Sequence, residues 1–460
     1  MNRKPSANDA FFLQVERPAA PMHVATLARF EVPEGRNKRY IRELIDAARS
    51  HEVSAAPFTH RLARNALGRV LPEWEREEDI DLDYHFRHSA LPQPGGEREL
   101  AVLISRLHSI PLDRSRPLWE CHVIEGLKGG GFAIYAKMHH ALVDGMAGVA
   151  LMQRMLAKAP EPEAFVPFWA MKPRKPGADK SGQREAMQGF ISQFGAQLAG
   201  IGRVSSALMQ QLRGARGKQL SQLVAPYSAP DCLLNGPIGP QRRVAVQRFD
   251  LAALQELAKA AGGTLNDILL AICAGALRGY LAELEALPDE PLVAQVPVSV
   301  RARDEDGGNA ISLLLANLGT HLADPGERFA LIKASMDDGK ALLAQMSREE
   351  ITRYSALLMA PFAVGQMAGI GNRRRKPMFN LIISNVPGPR EPLYLNEAPM
   401  TDCHPVSLIF EGQALNITLF SYAGTLSVVY TGCRRTLPHM QHLLGHADAA
   451  CAELEEHFGA

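Results

Sequence analysis

The tightest constraint on this chain lies where one kind of element gives way to another, at His139-His140-Ala141-Leu142-Val143-Asp144-Gly145. The run before it, Gly131 to His140, alternates aliphatic and aromatic residues with period two and reads as a strand. It is entered through the turn Gly129-Gly130 from an earlier apolar run, Trp119 to Leu127, so the two form a hairpin. Gly145 to Ala157 then has the spacing of a helix. Strand side chains alternate between faces, which puts Phe132, Ile134, Ala136, Met138 and His140 on one face and Ala133, Tyr135, Lys137 and His139 on the other.

An imidazole at the end of an apolar strand face, close to the positive end of a helix, suits a general base near neutral pH. Adjacent strand histidines point in opposite directions and no CxxC or HExxH accompanies them, so the pair is not expected to hold a metal. Ser299 and Ser384 fall on strand-like runs, but neither sits in a GxSxG elbow, which argues against a covalent acyl-enzyme.

The wider pattern divides the chain of 460 residues, which is too long for one ordinary core. Residues 1–157 alternate strands and helices. Five prolines between Pro160 and Lys180 mark a linker, and Gln183 to Gln222 has apolar residues every three or four positions with Arg203, Arg213, Arg216 and Lys218 on the same stretch. Such a basic amphipathic helix either lies on an anionic membrane or packs across two domains, and residues 158–235 are read as this connecting region.

From 236 to 460 the alternation resumes. Leu251–Ala261 is helical by spacing, and Thr264 and Asp267 are placed to form a reciprocal cap on a helix running to about Leu284. Val293–Val300, Met378–Ser384, Ala414–Ser421 and Leu426–Tyr430 read as strands. Two α/β halves with mixed sheets follow. Tyr354 to Gly371 holds no charge, yet Pro361 and three glycines dilute it, so a buried or interfacial segment is expected rather than a span.

A net charge of +1 gives no reason to expect nucleic acid as a partner. Six scattered cysteines and a polar N-terminus, Met1 to Asp9, fit a reducing, cytoplasmic setting without secretion.

The HHxxxDG pattern, together with Asp9-Ala10-Phe11-Phe12-Leu13, Pro21-Met22-His23-Val24, Leu112 to Glu120 including Pro117 and Trp119, Asn266-Asp267, and Asn385-Val386-Pro387-Gly388-Pro389, resembles the bacterial wax ester synthase/diacylglycerol acyltransferase family, within the superfamily of chloramphenicol acetyltransferase and condensation domains. The resemblance runs nearly end to end. It implies two chloramphenicol-acetyltransferase-like subdomains with an active-site tunnel at their interface. The activity implied is transfer of a fatty acyl group from acyl-coenzyme A, as substrate and with no cofactor, to a long-chain alcohol or a diacylglycerol. By position His140 would be the catalytic base, His139 its support, and Asp144 with Gly145 a structural element, Asp144 pairing with Arg301 across the junction. The Asp-Phe-Gly-Trp-Gly segment of plant relatives is absent, since the last third has no tryptophan.

Asn266, in the first turn of its helix, is the candidate donor to an oxyanion, and Asp267 is structural. Met146, Leu357, Leu358, Met359, Phe362 and Val364 are candidates for lining the chain's apolar site. Arg373-Arg374-Arg375-Lys376 is the densest basic run, open to coenzyme A phosphates, to anionic lipid or to solvent. Two other readings stay open: a condensation-type enzyme fed by a carrier protein, and a non-catalytic coat on lipid droplets.

Overall fold

The computed structural model describes residues 4–37, 39–63, 72–143, 145–160, 165–171, 222–301, 309–371 and 376–459. The basic helix expected at 183–222 therefore lies, up to residue 221, outside the described residues.

The helices are α1 (Ala7–Val15), α2 (Arg39–Arg49), α3 (Leu82–His85), α4 (Glu97–Ser109), α5 (Gly145–Arg154), α6 (Leu251–Ala260), α7 (Leu265–Glu283), α8 (Pro325–Ala344), α9 (Arg348–Met367) and α10 (His442–Phe458). The strands are β1 (His23–Phe30), β2 (His60–Leu62), β3 (Trp74–Arg76), β4 (Phe86–Ala90), β5 (Trp119–Glu125), β6 (Phe132–His139), β7 (Arg242–Asp250), β8 (Val293–Arg301), β9 (Asn309–Asn317), β10 (Leu381–Pro387), β11 (Tyr394–Leu395), β12 (Ala398–Val406), β13 (Leu415–Tyr422) and β14 (Thr425–Cys433).

Two six-stranded mixed sheets organise them. The first has the order β11-β12-β1-β6-β5-β4 and the second β7-β14-β13-β10-β8-β9. In the first, β4 and β5 run parallel and the other main pairs antiparallel, while in the second β10 runs parallel to both β8 and β13. Both halves are thus α/β with mixed sheets. One exchange was not visible in the sequence: β11 and β12, from late in the chain, complete the first sheet, with Ala25 of β1 opposite Val406 of β12.

The period-two pattern of β6 sorts its side chains between two cores. Phe132, Ile134, Ala136 and Met138 pack with Tyr40, Ile41 and Leu44 of α2 and with Val149 and Met152 of α5. Ala133 and Tyr135 face α4 and meet Val244 of β7 and Val429 of β14, so this face of the first sheet joins the second. Two left-handed glycines, Gly129 and Gly130 (φ 93° and 92°), close the hairpin from β5, a backbone conformation that side chains with a Cβ rarely adopt.

The largest core surrounds α7, which is apolar on nearly every side, as befits a helix enclosed by protein. Thr264 and Asp267 form the reciprocal cap their spacing predicts, Asp267 Oδ2 accepting from Thr264 N at 2.9 Å. Among the described residues α7 is the helix long and apolar enough to cross a membrane by length and composition, but 67% of that window is buried in the protein. Tyr354–Gly371, singled out in the sequence, is instead mostly α9, with Leu358, Met359 and Phe362 buried in the α7 core. Leu357 and Val364, expected as lining, face solvent at 44% and 48% exposure, because they lie on the opposite side of the same helix.

A buried polar group braces the first sheet. Lys137, fully buried on β6, donates to Glu120 Oε2 at 3.1 Å and to the carbonyls of Leu107 and Ile110 at 3.1 and 2.9 Å. Burial alone would raise the Glu120 carboxyl. The hydrogen bond from His122 and the charges of Lys137 and Arg87 outweigh it and hold the carboxyl at about 2. A carboxyl held below its unfolded value stabilises the fold above that unfolded value, and the benefit is lost as pH falls through the folded one. Thermal unfolding should therefore lose on the order of 3 kcal/mol of stability from Glu120 between pH ~4.5 and ~2. Glu120→Gln should flatten this dependence and destabilise the protein at neutral pH by roughly 3–5 kcal/mol, because Lys137 is left buried without its partner. Melting temperatures across that pH range, for both proteins, check it.

Candidate functional site

The site is built where β6 ends. The strand stops at His139, one residue earlier than its alternation suggests, and His140 opens the turn toward α5. His139 causes this. Its ring Nδ1 accepts the N–H of Ala141 at 3.0 Å, and its carbonyl accepts those of Leu142 at 2.9 Å and Val143 at 3.3 Å. One residue thus takes up three successive backbone donors and folds the chain back directly behind His140. The backbone of His140 still follows the strand register, donating to Met22 O at 2.8 Å next to the His23–His139 pair.

The two histidines therefore occupy different environments. His139 is fully buried, whereas His140 is half-buried, its ring stacked on Phe12 with centroids 3.9 Å apart and planes at 23°. Phe12 belongs to α1, the first helix of the chain, yet its packing partners lie in the α7 core, and its ring is 6.4 Å from that of Phe410. Phe410 in turn meets Phe362 of α9 edge-on at 5.4 Å. His140 is thereby the end of an aromatic line running into the second half of the molecule. An imidazole in such a place has one side held by an apolar ring and keeps partial access from outside, the setting a proton-accepting group beside a greasy substrate needs.

The other residues singled out in the sequence distribute as follows. Pro117 and Trp119 are buried at the start of β5. Trp119 Nε1 donates to Phe58 O at 3.0 Å, its ring stacks on His85 and Trp169 at 4.5 and 5.5 Å, and the carbonyl of Leu118 accepts the N–H of His139 at 3.0 Å. This segment is a packing platform under the histidine turn.

Asn266 stands half-buried in the first turn of α7, beside the capping pair. Gly145 opens α5. Asp144 lies outside the described residues, as do Arg373, Arg374 and Arg375. Arg301 is the last residue of β8 and Met146 the second of α5. Lys376 is described and is ion-paired with Glu290.

Phe12 carried no role in the sequence reading. The available signal was its membership of the opening Asp9-Ala10-Phe11-Phe12-Leu13, where two adjacent aromatics on a short helix ask for two different packing surfaces. Phe12→Leu keeps most of the buried volume but removes the ring stack, and should cost about 1 kcal/mol in denaturant unfolding beyond the change in buried area.

Residues 6–269 match the wax ester synthase/diacylglycerol acyltransferase catalytic domain, and residues 307–455 match the C-terminal domain of the same family. The chain is 43% identical to a putative diacylglycerol O-acyltransferase of Mycobacterium tuberculosis over 98% of this chain and 99% of that protein. Its structure matches that of a wax ester synthase/diacylglycerol acyltransferase from Marinobacter aquaeolei VT8 with a TM-score of 0.80 and 38% identity, over 100% of both chains. The starter condensation domain of rhizomide synthetase matches with a TM-score of 0.57 over 100% of this chain and 95% of that one, at 13% identity, a likeness of fold alone.

Proposed function

Because this chain belongs to the wax ester synthase/diacylglycerol acyltransferase family and is an O-acyltransferase, we propose that it transfers a long-chain fatty acyl group from acyl-coenzyme A directly to the hydroxyl of a long-chain alcohol or a diacylglycerol, with His140 as general base. The observation that carries this reading is the half-buried His140 ring, stacked on Phe12 at the end of an aromatic line.

In the proposed step, His140 takes the proton of the acceptor hydroxyl as its oxygen attacks the thioester carbonyl. The tetrahedral oxyanion collapses, the carbon–sulfur bond breaks, and the coenzyme A thiolate leaves, recovering the proton from the imidazolium. No protein nucleophile enters. Asn266 is the proposed donor to the oxyanion, supported by its place in the first turn of α7, where backbone N–H groups also converge. Asp144 is proposed to order the turn, paired with Arg301, and the basic run 373–376 to meet the coenzyme A phosphates.

A placed general base contributes typically a hundred- to ten-thousand-fold. His140→Ala should therefore lose activity by that order while remaining folded, its stability lower by about the 1 kcal/mol of the lost Phe12 stack. The assay uses palmitoyl-coenzyme A with hexadecanol and a diacylglycerol offered together, wax ester being read against triacylglycerol. A folded His140→Ala variant with full activity removes the proposed mechanism. Silence of the wild-type protein with free acyl-coenzyme A, but activity with a carrier-bound acyl group, favours the condensation-type reading. Silence with both leaves the non-catalytic lipid-coat reading.

Hydrocarbon substrates also make contact with a lipid surface part of the proposal, with the enzyme lying peripherally on the cytoplasmic face of a membrane or on lipid inclusions. Support comes from Leu357, Val364, Met367 and Ile370, 44%, 48%, 45% and 55% exposed along the outer side of α9 and its exit, in a stretch without charge from Tyr354 to Gly371. Val364→Asp combined with Ile370→Asp should reduce co-sedimentation with anionic phospholipid vesicles several-fold, and undiminished binding would refute this contact.

A further inference from the structure

With His140 taken as the base, as proposed above, the geometry points to Glu16 as a positioning residue that fixes the orientation of that base through His139 and Met22. Glu16 caps the C-terminus of α1, its N–H donating to Phe12 O at 3.2 Å. Its side chain is only 8% exposed. Oε1 accepts the N–H of Met22 at 3.2 Å and faces His139 Nε2 at 3.6 Å, while Oε2 lies 3.6 Å from Arg114 Nη1, which also donates to Leu13 O at 3.0 Å.

The protonation of His139 follows from its partners. Nδ1 accepts from Ala141 N–H and so carries no proton, which leaves the ring proton on Nε2, the nitrogen turned toward Glu16. Burial would raise the Glu16 carboxyl, but the Nε2–H of His139 turned toward it, the N–H of Met22 and the charge of Arg114 outweigh it and hold the carboxyl below its ordinary value. An ionised carboxylate therefore anchors both chain segments that frame His140. One is His139, which folds the turn behind it. The other is Met22, whose carbonyl receives the His140 N–H.

The same helix end places Phe12 against the His140 ring. A carboxylate suits this position because it accepts from every direction. An amide there would turn a donor toward one of three groups that are themselves donors.

The test measures kcat and KM with palmitoyl-coenzyme A and hexadecanol for Glu16→Gln, His139→Asn and the double variant. In His139→Asn the side-chain amide oxygen can still accept the Ala141 N–H, but no donor reaches Glu16, so this variant separates the turn from its anchor. Glu16→Gln should lower kcat by 10- to 100-fold, the scale of a misplacement of about 1 Å, with KM changed by less than about twofold. The double variant should fall by less than the product of the two single losses, because both act on one unit.

Wild-type kcat in folded Glu16→Gln, a change confined to KM, or losses that multiply fully would each overturn the assignment. If Glu16→Gln does not fold, Glu16→Asp, which draws the carboxylate back by one methylene, should lose kcat several-fold at unchanged KM, and wild-type kcat in that variant would overturn it equally. His140→Ala is measured alongside. An inactive His140→Ala with fully active Glu16→Gln removes only the role of Glu16, whereas an active His140→Ala removes the base itself.

Discussion

The pairing of β1 with β12, Ala25 opposite Val406 and Leu27 opposite His404, is the constraint on which the rest of the structure depends. It brings a strand that starts at Ala398 to the side of one that starts at His23, so the first sheet is not the property of one half of the chain. The chain leaving β12 carries Leu408, Ile409 and Phe410 into the core that also holds Phe11 and Phe12 of α1, and the Phe410 ring then lies 6.4 Å from that of Phe12. Without this strand β1, whose start holds the histidine turn through Met22, would be a sheet edge.

Polar bonds across the same junction reinforce it. Tyr135 donates to His108 Nδ1 at 2.8 Å, and His108 Nε2 donates to Ser407 O at 2.9 Å, while His23 Nε2 donates to the carbonyl of His108 at 2.9 Å. Burial holds His108 at about 3, so this imidazole is neutral and its donor and acceptor sides are fixed by its partners. Arg248 reaches Asp402 of β12 at 2.9 Å from β7, tying the second sheet to the borrowed strand. Groups of this kind add little net stability when satisfied but cost heavily when mispaired, so they select one register of the two sheets over its neighbours.

Much of this was legible in the sequence where periodicity is local. The β5–β6 hairpin, the Thr264–Asp267 cap and the strands β8, β13 and β14 all follow from spacing and turn chemistry. The end of β6 did not, because alternation continues through His140 and only the side chain of His139, bonding to a backbone N–H two residues on, breaks it. Residues that meet through distant chain left no mark at all: nothing near Phe12 predicts Phe410, and nothing near Glu16 predicts His139. The uncharged stretch 354–371 packs rather than spans, as its proline and glycines imply, yet composition could not say which side of α9 would turn outward, since both sides are apolar.

The borrowed strand also fixes an order in time. Translation releases His139 and His140 long before residues 398–410 leave the ribosome, so the ring that flanks Phe12 and the strand that completes the first sheet are both still unsynthesised when the histidine turn emerges. A nascent chain that stops short of β12 holds every group of the HHxxxDG motif but neither the strand that covers the far side of β1 nor the ring behind Phe12. Competence waits for the C-terminal segment.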